Sequence, residues 1–168
     1  MSKIKLLIEC LRFFYYLAVD NPYIEFHLME TNFILSCNPP SIEEYNLLRE
    51  LAGWGKAGEA VAGRGLAGSL FAVTIRDKAG TIIGMGRVVG DRGLYLHIQD
   101  VIIRPEMQKM GYGKLIMDKL MEYVRQQSGK KTMIGLMCAK GKEGFYRKYG
   151  FIDRPNDKQG PGMTIIVE

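Results

Sequence analysis

The sequence predicts an α+β fold: a mixed, mostly antiparallel sheet with helices on both of its faces. Three observations carry that expectation. The runs 70–76, 81–89 and 94–104 read as strands with turn residues between them, the pattern of a meander. A helix over 111–127 follows, with an apolar stripe of Leu115, Ile116, Leu120, Met121 and Val124, and after it strand and helix segments alternate to the end. The chain has 168 residues, 47% of them hydrophobic and 24% charged, which suits one ordinary domain with a sizeable core and excludes wholesale disorder.

The first segment, 4–19, is rich in large apolar residues. Glu9 and Arg12 interrupt it, it falls short of the roughly 20 apolar residues of a membrane span, and no small-residue cleavage site follows. It reads as an amphipathic helix ending near Pro22, part of an N-terminal extension over 1–28. Its apolar face would pack on the domain, on a second copy in a homodimer, or on a lipid surface. Met29 offers an alternative translation start. The domain proper is 29–168.

Within it, 32–38 is a short β-type run closed by Pro39 and Pro40. Ser41, with Glu44 three positions on, forms a capping box for a helix through Ala52. Gly53 and Gly55 end that helix, and 56–69 is small and glycine-rich, a loose helix with loop. Asp77 to Gly80 and Gly90 to Gly93 are the meander turns, and Pro105 stops the third strand. A buried-looking strand is expected over 131–139, a short helix over 142–149 ended by Gly150, a strand starting at Phe151 and Ile152, a polar loop over 154–162, and a last strand over 163–167.

Charge and cysteine content narrow the function classes. Twenty-three cations against eighteen anions give a net charge of +5 with no basic block, which fits an anionic small molecule and does not indicate nucleic acid. The three cysteines, Cys10, Cys37 and Cys138, are odd in number and lack a CxxC pair. Neither a disulfide framework nor a metal site is expected, and a reducing, cytoplasmic compartment is the natural reading.

Two glycine patterns invite a phosphate. Gly63 to Gly68 matches G-x-G-x-x-G, but a strand follows it where a dinucleotide fingerprint needs one before it, so it is read as a decoy. Gln108-Lys109-Met110-Gly111-Tyr112-Gly113 has the right topology: a strand ends, a loop turns, a long helix begins. Unpaired N–H groups and the helix dipole favour an anion there, and Gly111 and Gly113 let it approach the backbone. Lys109 and Lys114 add positive charge.

The run D-V-I-I-R-P-E-M-Q-K-M-G-Y-G, Asp100 to Gly113, resembles the acyl-CoA signature of the GNAT superfamily of N-acetyltransferases. Glu143 to Phe151 resembles that family's second signature, F-Y-x-x-x-G-F after the fifth strand. The resemblance covers all but the N-terminal extension and implies the acyl-CoA N-acyltransferase fold, with acetyl-CoA as cofactor. It implies that the third meander strand splays from its neighbour, so that backbone groups at Val101, Ile102 and Ile103 hold the pantetheine arm. The diphosphate would sit on Gln108, Lys109, Met110, Gly111, Tyr112, Gly113 and Lys114. Tyr146 matches the tyrosine that protonates the departing thiolate, as a phenol with a pKa of roughly 10 can. The family often has an asparagine a few residues earlier; Ala139-Lys140-Gly141 stands there instead.

The attacking amine must lose a proton, and His97 is the candidate base or water relay, at a position where several family members carry Glu or His. Strand alternation puts Gln99 on its face and Asp100 on the other, unless a bulge changes the register. Cys138 lies close enough to the expected thioester for a covalent acyl-cysteine route to be weighed. The acceptor pocket is expected from 54–68, the turn at 90–93 and the loop 154–163, with Glu43, Glu44 and Glu59 as possible attractors of a cationic amine. The implied activity is acetyl transfer to a primary amine, of a small molecule, or alternatively of a peptide or protein. A non-catalytic acyl-CoA-binding module is the competing class.

Overall fold

The computed structural model describes residues 32–166. The expected extension over 1–28, and Val167 of the expected last strand, lie outside the described residues.

Strand β1 (Phe33–Ser36) leads to helix α1 (Ile42–Leu51). The capping box forms as expected: the Ser41 hydroxyl accepts the Glu44 N–H at 3.2 Å, and the Glu44 carboxylate accepts the Ser41 N–H at 2.8 Å. The glycine-rich stretch that follows contains a regular helix, α2 (Glu59–Ala67), so the decoy pattern lies in a helix and the turn after it. Buried Asn46 fixes the approach to α2, because its amide exchanges two hydrogen bonds with the backbone of Ala57, at 3.0 and 2.9 Å.

The meander is β2 (Phe71–Asp77), β3 (Ile82–Gly90) and β4 (Tyr95–Ile103), and it is followed by α3 (Tyr112–Gln127), β5 (Met133–Leu136) and the short α4 (Glu143–Arg147). The five strands lie in sequence order, β1 to β4 antiparallel and β5 parallel to β4. The sheet is therefore mixed, as expected.

Each face of the sheet carries its own apolar layer. On one, Ile116, Met117, Leu120 and Val124 of α3 pack fully buried on Val73, Ile75, Ile83, Val88, Leu96 and Ile98. On the other, Tyr45 and Leu48 of α1 and Ala62 and Leu66 of α2 cover Ile82, Met85 and Ile102. The helical period of α3 and the strand period of β2 to β4 thus fix which face each residue joins.

The two last strands do not form. Among the described residues, 151–166 holds no strand, only an isolated bridge between Asn156 and Gln159. A β-type composition makes a strand only with a ladder to join. Here β5 is four residues long, and Ile152, Met163, Ile165 and Ile166 are exposed at 74% or more. Pro155 and Pro161 also lack the N–H that a ladder needs.

Close approach at β3 requires a glycine. A Cβ on Gly84 would stand 2.6 Å from the Ile102 carbonyl oxygen, a backbone atom that cannot swing aside. Gly84→Ala is expected to cost about 1–3 kcal/mol of stability in urea unfolding; an unchanged midpoint would contradict this packing.

Candidate active site

The sheet opens where β4 meets β5. Their parallel pairing runs from Tyr95↔Met133 to Ile98↔Leu136 and stops. Strand β4 continues to Ile103, so from Gln99 onward its β5 side has no strand partner among the described residues. A bulge accompanies the opening: pairing with β3 steps from Met85↔Ile102 to Arg87↔Gln99, leaving Asp100 and Val101 together opposite Gly86. Asp100 is left-handed, with φ at +53°. Aspartate is one of the few side chains that tolerate this region.

The extra residue shifts the alternation. Leu96 and Ile98 pack toward α3, and beyond the bulge so do Val101 and Ile103. Asp100 instead meets Tyr45 of α1, and Ile102 joins the α1–α2 layer. Simple alternation had put Asp100 opposite His97. The bulge is the stated exception, and it brings Asp100 to the face of His97 and Gln99.

Beyond β4 the chain makes a short 3₁₀ turn (Pro105–Met107) and enters the loop before α3. Lys109 and Gly111 are left-handed, at φ +63° and +91°, and Gly111 is the N-cap with no side-chain cap bond. Among the described residues, no acceptor takes the N–H groups of Lys109, Met110 and Gly111. The first N–H groups of α3 lack intrahelical acceptors by geometry. Nothing lies within 4 Å of a Cβ built on Gly111, so the space beside the loop is open. These amides, the dipole of α3 and the exposed Lys109 concentrate positive potential at one point, the kind of surface that suits an anion. Gln108 closes the loop by donating from Nε2 to the Ile103 carbonyl at 3.2 Å. Tyr112 puts its ring edge-on to Phe33 at 5.6 Å, and Lys114 pairs with Asp118 at 2.6 Å. The Tyr112 ring therefore serves packing, and Lys114 shares its charge with Asp118.

Helix α4 packs beside the start of α3, where a Cβ built on Gly113 would stand 3.8 Å from the Phe145 ring. Tyr146 is half-buried, edge-on to Phe145 at 5.1 Å and to Phe151 at 6.3 Å. Burial, aided at alkaline pH by repulsion from Cys138, pushes its phenol up to about 12. It stays a proton donor throughout the physiological range. The Cys138 thiol is itself pushed up, by burial first and then by the Glu143 carboxylate, and it donates to the Ala139 carbonyl at 3.1 Å. That is the reverse of an activated nucleophile, so the geometry lends the acyl-cysteine route no support.

His97 is half-buried, and burial lowers its pKa, favouring the neutral imidazole that a base requires. Its ring lies over Gly135 of β5, where a Cβ would come within 3.2 Å of Nδ1. Of the acidic residues weighed as attractors, Glu44 is engaged by Arg76 through two bonds, at 2.8 and 2.7 Å.

Sequence reasoning missed two arrangements. Asp100 is 5% exposed, and its Oδ2 accepts from Arg87 Nε at 2.6 Å and from the Tyr45 hydroxyl at 3.1 Å. The available signal was one acid and one base embedded in apolar strand runs. The second is Tyr149, in the turn after α4, whose hydroxyl donates to Asp118 at 3.1 Å and ties that turn to α3.

Comparison with known proteins gives the family. Residues 32–151 match the model of the acetyltransferase (GNAT) family, and the chain belongs to that family. An uncharacterised N-acetyltransferase of Porphyra purpurea is 34% identical over 84 residues, covering 50% of this chain and 47% of that protein. The chloroplastic GCN5-related N-acetyltransferase 3 of Arabidopsis thaliana is 32% identical over 103 residues, covering 60% of this chain and 41% of that one. The match thus spans less than half the length of these curated relatives. Among solved structures, a probable acetyltransferase from methicillin-resistant Staphylococcus aureus superposes with a TM-score of 0.75 at 33% identity, covering 80% of this chain and 99% of that one. Glucosamine-6-phosphate N-acetyltransferase from Arabidopsis thaliana, at TM-score 0.61 and 17% identity over 81% of this chain and 99% of that one, shares the fold.

His97 should titrate below its ordinary value of 6.5 when followed by NMR of its ring protons. Because the folded pKa is depressed, its stability contribution is present above about 6.5 and lost as pH falls through the folded value. A midpoint at or above 6.5 would contradict the half-buried placement.

Proposed function

We propose that the protein transfers an acetyl group from acetyl-CoA to a primary amine of a small molecule, by direct attack with both substrates bound. The observation that carries this reading is that, among the described residues, the β4 edge after Ile98 has no strand partner and the loop amides at Lys109 to Gly111 have no acceptor. One offers hydrogen bonds to an extended amide-bearing arm, the other to a diphosphate, and one cofactor joins those two chemistries. Family membership supports the same reading.

When bound, acetyl-CoA supplies the activated thioester. Backbone groups at Val101, Ile102 and Ile103 hold its pantetheine arm, and Gln108 to Lys114 hold its diphosphate through main-chain N–H groups. His97, neutral at physiological pH, takes the proton from the acceptor ammonium, directly or through a water that Gln99 orients. Tyr146 gives its proton to the departing thiolate. The acceptor enters on the face of α1 and α2, opposite α3. No helix among the described residues is long and apolar enough to cross a membrane. We place the protein in a reducing compartment, the cytoplasm or its organellar equivalent, since the Arabidopsis relative is named chloroplastic. Residues 1–28 form an extension that this chemistry does not use.

A thiol-release assay with acetyl-CoA across small amines tests the reading. Tyr146→Phe should lower kcat about a hundredfold or more while the Kd for CoA stays put. Unchanged turnover would remove Tyr146 from the chemistry. Activity should rise with pH as His97 sheds its proton, with no alkaline loss from Tyr146 until pH nears about 12. Gly111→Val, which forces a β-branched residue to φ +91°, should weaken CoA binding measured by calorimetry. Unchanged affinity would overturn the loop assignment.

A further inference from the structure

Arg87 sits at a junction that the proposed chemistry does not use. Its Nε donates to Asp100, the left-handed residue of the bulge, at 2.6 Å. Its Nη1 donates to the Gly65 carbonyl of α2 at 2.8 Å and to the Ser69 hydroxyl beyond that helix at 3.3 Å. The Asp100 oxygen that receives Arg87 also receives Tyr45 of α1, whose hydroxyl in turn accepts from Arg49 Nη1 at 3.4 Å. One buried carboxylate, with its side chain 3% exposed, therefore gathers α1, α2 and β3 onto the residue that bulges β4.

We propose that Arg87 is a positioning residue that registers the acceptor-side helices α1 and α2 on the cofactor slot. The inference rests on the cofactor reading above and adds a coupling across the sheet. A guest that hydrogen-bonds to the open β4 edge stiffens the bulge at Asp100. The planar guanidinium, forked between a carboxylate and a helix carbonyl, passes that stiffening to α2. The acceptor wall is thereby ordered by a ligand that does not touch it. Lysine in place of Arg87 keeps the buried carboxylate compensated, but its compact ammonium does not reproduce the fork.

Hydrogen–deuterium exchange on the full chain, with and without saturating CoA, tests this without an acceptor amine. In the wild type, CoA should slow exchange at 108–113 and also at 42–51 and 59–69. In Arg87→Lys the protection at 108–113 should remain and that at 59–69 should be lost. Tyr45→Phe removes only a hydroxyl and keeps every charge; it should reduce the CoA-linked protection over 42–51, and it carries the test if Arg87→Lys does not fold. Protection at 108–113 with none at 59–69, or none at 42–51, in the wild type overturns the coupling and leaves the cofactor reading standing. So does full protection at 59–69 in Arg87→Lys, or at 42–51 in Tyr45→Phe. No protection at 108–113 overturns the cofactor reading and the coupling with it.

Discussion

The structure turns on one backbone conformation. Asp100 occupies the left-handed region in the middle of a strand, which costs a non-glycine residue about 1–2 kcal/mol. The extra residue reverses the facing of every side chain after it and accompanies the opening of β4 from β5. A buried carboxylate at such a place would be costly if left alone. Arg87 and Tyr45 supply it with charge and hydrogen bonds, so the interaction that compensates the acid also holds the bulge. Gly86, opposite, has no Cβ; one built there would stand 2.7 Å from Ile116, so the same pair of strands admits α3 closely.

From that opening the remaining parts follow by position. The strand that leaves the ladder leads directly into the loop whose amides find no acceptor among the described residues, and α3 adds its dipole at the same point. Helix α4 is short and not deeply buried, yet it is anchored: Phe145, Tyr146 and Phe151 meet edge-on, and Tyr149 reaches to Asp118 of α3. Burial sets the two titrating groups in opposite senses. It keeps the phenol of Tyr146 protonated and the imidazole of His97 neutral, the states a proton donor and a proton acceptor need at neutral pH.

Most of this was legible in the sequence because it is local. The capping box at Ser41, the stripe of α3, the meander turns and the glycine pattern at Gly111 each depend on residues a few positions apart, and each lies where expected. The decoy at Gly63 was also readable, since the order of elements around it was wrong for a phosphate loop. What was not legible depends on distant partners. The 151–152 and 163–167 runs have strand composition, but composition does not show whether an edge is there to receive them. Asp100 could not be assigned to a face without the bulge, and its partners Arg87 and Tyr45 lie 13 and 55 residues away in the chain. Neither pairing leaves a periodic trace.

A crystal structure of the protein with CoA tests the central claim most directly. The pantetheine arm should run along Gln99 to Ile103 with its diphosphate on the Lys109 to Gly113 amides and its sulfur on the side of Tyr146. Density for CoA elsewhere, or β4 and β5 paired past Ile98 and Leu136 in the complex, would contradict it.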